Sequence, residues 1–191
     1  MYKILSVNPG STSTKFAVYE DEKLICLHNI RHETEDLKLF HSLFDQTQFR
    51  KNLMLEQLKK EGINLSDFSA VVGRGGLVRP LQSGVYEVND SYISDLKSSH
   101  KSEHASNLGG VIAREIANSI PNCKAFIADP VVVDEYQDVA RISGLPQIPR
   151  RSMFHALNHK AIGRKYAADN NTVYEKLNLV IAHLGGGISV A

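Results

Sequence analysis

The start of the chain contains short runs of apolar residues separated by polar turns, and this pattern predicts β-strands over residues 2–8, 14–20 and 23–30. Residues 20–23, which link the second and third strands, are all charged. A polar link as short as this is typical of a tight hairpin. The first thirty residues are therefore predicted to form an antiparallel meander of three strands.

The spacing of apolar residues then changes to that of helices. Leu37, Phe40 and Phe44 share one helical face and predict a helical region over about 35–61, which Gly62 ends. Further helices are predicted over about 90–99, 104–119 and 155–168, and buried strands over 69–72, 123–128 and 178–184. Residues 130–151 follow neither spacing and predict a long irregular segment. The order is that of an α/β protein.

Length, charge and cysteine content narrow the class of protein. The 191 residues allow one large domain or two small ones, and the formal net charge of +1 argues against binding to nucleic acid or to an acidic membrane surface. There is no apolar run of membrane-spanning length and no signal-peptide layout. The two cysteines, Cys26 and Cys123, are expected to be core residues in a reducing cytoplasm.

A polar turn between the first two strands carries the clearest chemical signal. Its sequence is Asn8-Pro9-Gly10-Ser11-Thr12-Ser13-Thr14-Lys15. Backbone N–H groups and hydroxyls at such a tip donate to phosphate oxygens, and the lysine adds positive charge. An ordinary polar hairpin is the alternative, and the sequence is not a P-loop because the G-x-x-x-x-G-K-[ST] pattern is absent.

A second glycine turn, His183-Leu184-Gly185-Gly186-Gly187, follows an apolar run near the other end. Consecutive glycines allow positive φ and close approach of a ligand to the backbone. A simple tight hairpin explains one or two of these glycines equally well. Two such turns together are the pattern expected where β-turns hold the phosphates of one nucleotide.

Residues at predicted strand ends are further candidates for chemistry, because ligands of open α/β sheets bind beyond the carboxyl ends of strands. Arg74 follows one strand and is flanked by Gly73, Gly75 and Gly76, so it is either an anion clamp or a solvated surface residue. Asp129 ends another strand and is either a turn former or a residue that serves Mg²⁺ or acts as a base. Three histidines near helix starts complete the set: His104, His155 and His159.

In chain order these groups resemble the motifs of the acetate/butyrate kinase family. The matching residues are Asn8 to Lys15, Arg74, His104, Asp129, Phe154-His155 with His159, and His183 to Gly187. Residues 72–80 and 129–135, and the triple glycine where acetate kinases carry Gly-Asn-Gly, favour the members that act on butyrate. The matches span the chain and correspond to the N-terminal half of a family member.

The resemblance implies an actin-like (ribonuclease H-like) ATPase fold. Each of two domains has a β-β-β-α-β-α-β-α core with a mixed sheet, and the active site lies in the cleft. Residues 1–149 are expected to be the first domain, and residues 150–191 the incomplete beginning of a second, nucleotide-binding domain. If the chain is truncated, it is expected to be inactive by itself, because the family's adenosine-binding segment lies beyond Ala191.

The resemblance also implies an activity, the transfer of the ATP γ-phosphoryl group to butyrate or a branched short-chain acid, with Mg²⁺. A carboxylate is already a nucleophile, so positioning and charge neutralisation are the main requirements. The partners expected are a short-chain carboxylate and, at full length, further copies of the chain. Alternatives are an acetate or propionate kinase, a sugar kinase, and a non-catalytic actin-like module. The last would have no use for a carboxylate clamp.

Roles are carried over residue by residue from the resemblance. Arg74 is assigned to the carboxylate and the phosphoryl group, and His155 to a hydrogen bond with the transferring phosphoryl group. Asp129 is expected to orient Mg²⁺ through water, with Asn8 nearby, or to align the nucleophile. The phosphates are assigned to Asn8, Ser11, Ser13, Lys15, His183, Gly185, Gly186 and Gly187. Substrate binding is assigned to Gly75, Gly76 and His104. The two glycines are expected to leave room for a longer acyl chain. For His104 and His159 a structural role is the alternative.

Overall fold

A computed structural model of the chain describes residues 1–98, 104–185 and 187–191. The chain divides into two compact units. Unit 1 contains Met1–Val78 and Val85–Ala128, and unit 2 contains Arg79–Gly84 and Asp129–Ala191. The units thus divide after Ala128, whereas the domain boundary predicted at residue 149 concerns the longer protein and stays a prediction.

Unit 1 is built on a six-stranded mixed sheet with the strand order β3-β2-β1-β4-β6-β5. Its strands are β1 (Lys3–Pro9), β2 (Ser13–Glu20), β3 (Lys23–Arg31), β4 (Ala70–Arg74), β5 (Val85–Glu87) and β6 (Lys124–Ala128). The first three form the predicted antiparallel meander, while β4 lies parallel to β1 and β6 parallel to β4. Because β1 and β4 run parallel, both end at one edge of the sheet, next to the β1–β2 turn.

The helices of unit 1 confirm two of the three predicted helical regions in outline and correct the third. They are α1 (Thr34–Leu37), α2 (Gln46–Lys60), α3 (Asp90–Ser98) and α4 (Asn107–Ala117). The single helical region predicted over 35–61 is wrong, because residues 38–45 form turns. The backbone N–H of Ser42 donates to Asp45 Oδ2 at 2.9 Å, and the N–H of Asp45 donates to Ser42 Oγ at 3.4 Å. Such side-chain bonds compete with helical hydrogen bonds and here start α2 late.

Apolar side chains from the sheet and from α2 and α4 form one core in unit 1. Its fully buried members include Leu5, Val18, Met54, Leu58, Leu108 and Ile112. Burial of each such side chain contributes about 1.5–3 kcal/mol relative to exposure. The core fixes α4 against β1, β4 and β6 and so holds the end of β4 in place.

Two glycines allow α4 and β4 to touch backbone to backbone. A Cβ atom on Gly73 would lie 2.1 Å from the carbonyl oxygen of Gly109, and one on Gly109 would lie 2.3 Å from the carbonyl oxygen of Arg74. Only glycine fits at these distances. The contact places Arg74 directly beside the first turns of α4.

Unit 2 contains one long helix and a small hairpin. The helix is α5 (Ala156–Asp169), and the hairpin pairs β7 (Ala182–Leu184) with β8 (Ile188–Val190) in antiparallel register. The segment 130–151 is irregular as predicted, apart from a single 3₁₀ turn at Asp138–Arg141.

The buried strand predicted over 178–184 is wrong in length and in burial. Only its last three residues are assigned to a strand, and Val180 and Leu184 are 85% and 74% exposed. A two-stranded ribbon covers one face of each strand at most, so alternate side chains of this apolar run remain exposed. Among the described residues, no helix combines the length and the apolar character that a membrane crossing needs.

Candidate functional site

The β1–β2 turn brings four predicted phosphate-binding residues to one tip. Asn8 and Lys15 are directly opposite each other in the register, so their side chains share one face, and both are exposed. Ser11 is exposed and Ser13 is half-buried. The N–H of Gly10 donates to the carbonyl oxygen of Ser13 at 2.7 Å and closes the turn. An amide, two hydroxyls and an ammonium group are therefore available to an anion here.

Two buried residues that the sequence analysis did not single out lie under this turn. Arg50 of α2 is 1% exposed and donates to oxygens of the turn, and His32 is 6% exposed. His32 Nε2 lies 2.8 Å from Thr14 Oγ1. Burial, and then the positive charge of Arg50, lower the pKa of His32 to about 4. A single arginine on a mostly polar helix gives no sequence signal of this position.

The lowered pKa of His32 makes the stability of this chain depend on pH. The unfolded chain binds a proton near pH 6.5, whereas folded His32 stays neutral down to about pH 4. The unfolded state therefore binds more protons between these values, and stability falls as the pH is lowered through that window. We expect this group to remove at most about 3 kcal/mol from the free energy of unfolding.

Urea unfolding between pH 7 and pH 4 measures this effect in the wild type and in His32→Gln. The variant should lose less stability over that range than the wild type. His41→Gln, which changes an exposed histidine, serves as the control and should keep the wild-type slope. Parallel pH profiles for wild type and His32→Gln would contradict the assignment.

Arg74 and His104 lie together at the end of β4 and the approach to α4. Arg74 is half-buried, and burial lowers the pKa of its guanidinium. Burial, and then the charge of Arg74, lower the pKa of His104, whose Nδ1 lies 2.7 Å from Ser106 Oγ. Within the described ranges Arg74 makes no ion pair. A partly desolvated guanidinium without a carboxylate is a site for an anion.

The glycines after Arg74 are buried, and Gly76 leaves no open space. A Cβ atom there would lie 2.7 Å from Asn107 Cα and 2.9 Å from Leu96 Cδ2. The N–H of Gly76 donates to the hydroxyl of Tyr92 at 3.1 Å, and burial raises the pKa of that hydroxyl to about 12. The expectation that Gly76 makes room for a longer acyl chain is thus wrong, because helix atoms fill that space. The role of Gly75 stays a prediction.

Asp129 in unit 2 is a tightly held carboxylate. It is 8% exposed and has a φ of +32°, which is uncommon for a residue with a side chain. Its Oδ1 accepts hydrogen bonds from Ser83 Oγ and from the N–H of Gly84, both at 2.8 Å. No described residue donates to Oδ2, so this oxygen is available to a metal-bound water.

The histidines of unit 2 form a stacked group next to α5. The rings of His155 and His183 lie 3.8 Å apart with an angle of 11° between their planes. His155 Nδ1 is 2.8 Å from Ser189 Oγ, and His183 Nδ1 is 3.0 Å from Asn158 Oδ1. His159 is 3% exposed, and its nitrogens face the carbonyl oxygens of His155 and Ser189, so it joins the hairpin to the helix.

The glycine turn connects β7 to β8. The N–H of Gly185 donates to the carbonyl oxygen of Gly187 at 3.0 Å, and both residues are exposed. Gly185 has no positive φ, so of the two reasons for glycine, positive φ and close approach of a ligand, only the second applies at that position. Gly186 lies outside the described residues.

The predicted site residues thus fall into two sets. Unit 1 holds Asn8, Ser11, Ser13, Lys15, Arg74, Gly75, Gly76 and His104, and unit 2 holds Asp129, His155, His183, Gly185 and Gly187. Within unit 1 the structure brings Arg74 together with His104, and the four turn residues with one another. Within unit 2 it brings His155 together with His183.

Sequence comparison finds close relatives over the whole chain. Butyrate kinase 1 of Clostridium acetobutylicum is 54% identical over 190 residues, which are 100% of this chain and 53% of the relative. A probable butyrate kinase of Bacteroides thetaiotaomicron is 54% identical over 189 residues, 99% of this chain and 53% of the relative. The chain therefore spans about half the length of the curated relatives it matches. No family model matches it.

Solved structures confirm the predicted fold class. An acetate kinase from Porphyromonas gingivalis matches with a TM-score of 0.67 at 16% identity, covering 100% of this chain and 54% of the other. A propionate kinase from Francisella tularensis matches with a TM-score of 0.66 at 17% identity, with the same coverage. At these identities the likeness concerns the fold, which is the actin-like α/β fold expected from the sequence.

Proposed function

We propose that this chain, which belongs to the family of the butyrate kinases, forms part of an enzyme that transfers the γ-phosphoryl group of ATP to butyrate or a branched short-chain acid. The products are an acyl phosphate and ADP. The observation that carries the proposal is Arg74, a half-buried guanidinium beside His104 that makes no ion pair among the described residues.

Arg74 is proposed to bind the carboxylate of the acceptor and to neutralise charge on the phosphoryl group in transit. A planar guanidinium donates two parallel hydrogen bonds to a carboxylate, which fixes its orientation. The attacking carboxylate oxygen is already anionic, so the step needs alignment and charge stabilisation more than a base. His155 is proposed to donate a hydrogen bond to the moving phosphoryl group. A non-catalytic nucleotide module has no role for a carboxylate clamp, which disfavours that alternative.

The turn residues are proposed to hold the phosphates. Asn8, Ser11, Ser13 and Lys15 offer donors and positive charge at an exposed tip, which fits phosphate oxygens. His183 and the glycines from Gly185 to Gly187 are proposed to serve the nucleotide from unit 2. Asp129 is proposed to orient Mg²⁺ through a water molecule, and its Oδ2 fits this role. Mg²⁺ keeps several waters and needs only one or two carboxylates, and it would neutralise phosphate charge.

The full-length protein is proposed to be a cytoplasmic homo-oligomer. Both cysteines, Cys26 and Cys123, are free, as is usual in a reducing compartment.

The acid preference of the full-length protein tests the proposed function. With ATP and Mg²⁺, we expect kcat/KM for butyrate or a branched acid of four to five carbons to exceed that for acetate by about 10-fold or more, because each methylene in an apolar pocket adds about 1–3 kcal/mol of discrimination. Trapping of the acyl phosphate with hydroxylamine measures the product, with acids of two to six carbons. Reactions without acid or without ATP are the controls. Equal or better kinetics on acetate would reject the preference, and no acyl phosphate with any acid would reject the activity.

A further inference from the structure

A buried arginine holds the phosphate turn from the side of the core. Arg50 Nη1 donates to the carbonyl oxygens of Gly10 at 2.8 Å and Ser13 at 3.0 Å, and to Thr14 Oγ1 at 3.1 Å. Its Nη2 donates to the carbonyl oxygen of Ser11 at 3.1 Å. The remaining bonds go to Gln46 Oε1 on its own helix, at 2.9 and 3.1 Å. One guanidinium therefore donates to three carbonyl groups and one hydroxyl of the turn region.

These contacts determine where the N–H groups of the turn point. In a planar trans peptide the C=O of one residue is directed opposite to the N–H of the next. The carbonyl groups of Gly10 and Ser11 point at Arg50, so the N–H groups of Ser11 and Thr12 point away from it. Both residues are exposed, and neither N–H has an acceptor among the described residues. The turn thus presents two free backbone donors on its outer side.

The charge of Arg50 also lacks a counter-charge in the described part of the chain. All of its bonds go to neutral oxygens, and its neighbour His32 is kept neutral at physiological pH, with a pKa of about 4. A buried charge without a counter-charge lowers the stability of the folded state, because the charge loses its hydration on burial. The cost is offset if an anion binds on the other side of the turn and feels this charge through a medium of low dielectric constant.

We propose that Arg50 is a positioning residue for the nucleotide phosphates. It orients the N–H groups of Ser11 and Thr12 outward and places a fixed positive charge under the turn, while Asn8 and Lys15 contact the anion directly. This inference rests on the proposed function, because it assumes that the ligand of the turn is a phosphate of ATP.

The test uses the full-length protein with Arg50→Lys and Arg50→Met. Lysine keeps the charge but lacks the planar fork that reaches several carbonyl groups. We expect the KM for MgATP to rise at least about 10-fold in Arg50→Lys and further in Arg50→Met. A hydrogen bond from a charged donor holds the turn more strongly than a hydrogen bond between neutral groups, and methionine donates none. The KM for butyrate should stay within about twofold of wild type, a split that a general loss of packing does not produce. Arg114→Lys and Arg114→Met, which change a surface residue paired with Asp90, are the controls and should leave both KM values unchanged.

Equilibrium dialysis of the same variants with MgATP and MgADP separates this inference from the proposed function. If the wild type binds MgATP but forms no acyl phosphate, the proposed reaction fails, while a weaker Kd in Arg50→Lys still supports the role of Arg50. Wild-type Kd values for both nucleotides in Arg50→Lys would overturn the inference. Equal rises in the KM values for MgATP and butyrate, or loss of folding in both Arg50 variants, would make Arg50 a residue of general stability and overturn it as well.

Discussion

Replacement of Arg74 by alanine is expected to lower kcat/KM of the full-length protein by about 10²–10⁴-fold, because in the proposed reaction the variant loses the charge that stabilises the transition state. Arg74 ends β4, is held by the contact of that strand with α4, and makes no ion pair in the described ranges. Removal of its guanidinium is therefore expected to affect the proposed acceptor site more than the fold. Steady-state kinetics with butyrate and MgATP measure the loss.

Two further variants make this result specific. Arg74→Lys should recover only part of the activity, because an ammonium group supplies the charge without two parallel hydrogen bonds. Arg114→Ala removes an arginine from the last turn of α4 and should behave like the wild type. Near-wild-type kinetics for Arg74→Ala would make Arg74 an ordinary surface residue and remove the main support for a carboxylate acceptor.

Substitution of Gly109 by alanine is expected to destabilise the chain by about 3 kcal/mol, although alanine is the better helix former. The gain in helix propensity is about 1 kcal/mol. The new Cβ atom, however, would lie 2.3 Å from the carbonyl oxygen of Arg74, a backbone atom that cannot rotate away. Overpacking of this kind costs typically 1–3 kcal/mol and more where backbone must move. Urea unfolding followed by circular dichroism gives the difference.

Gly144→Ala is the matched control, since nothing lies within 4 Å of a Cβ atom at that position. Its free energy of unfolding should stay within about 0.5 kcal/mol of wild type. Wild-type stability of Gly109→Ala would mean that α4 and β4 are farther apart than described. The position of Arg74 would then no longer follow from this contact.

The sequence predicted the elements for which the spacing of apolar residues is compatible with only one type of secondary structure. The three strands of the meander were placed within one residue of their observed ends, because each is a short run rich in apolar residues bounded by polar or turn-forming residues. Arg74 and Asp129 were chosen as candidates because each follows a short apolar run, and ligands of open α/β sheets bind beyond the carboxyl ends of strands.

The errors arose where side chains that are distant in sequence decide the structure. Phe40 and Phe49 contact each other with ring centroids 5.5 Å apart across the turns that interrupt the predicted helix, and helical spacing does not distinguish this contact from a continuous helix. The strand β5 has only three residues, and Val85 at its start is 67% exposed, so no pattern marks it. Arg50 was missed because its partners lie about forty residues earlier in the chain.

The burial of Arg50 has a consequence for how the positive potential at the turn depends on ionic strength. Mobile ions screen exposed charges such as Lys15 over about 10 Å at 0.1 M salt, but they do not reach a side chain that is 1% exposed. Two positive charges of different kinds therefore act on the turn. The contribution of Lys15 decreases as salt is added, whereas that of Arg50 persists, so the turn keeps part of its positive potential in concentrated salt.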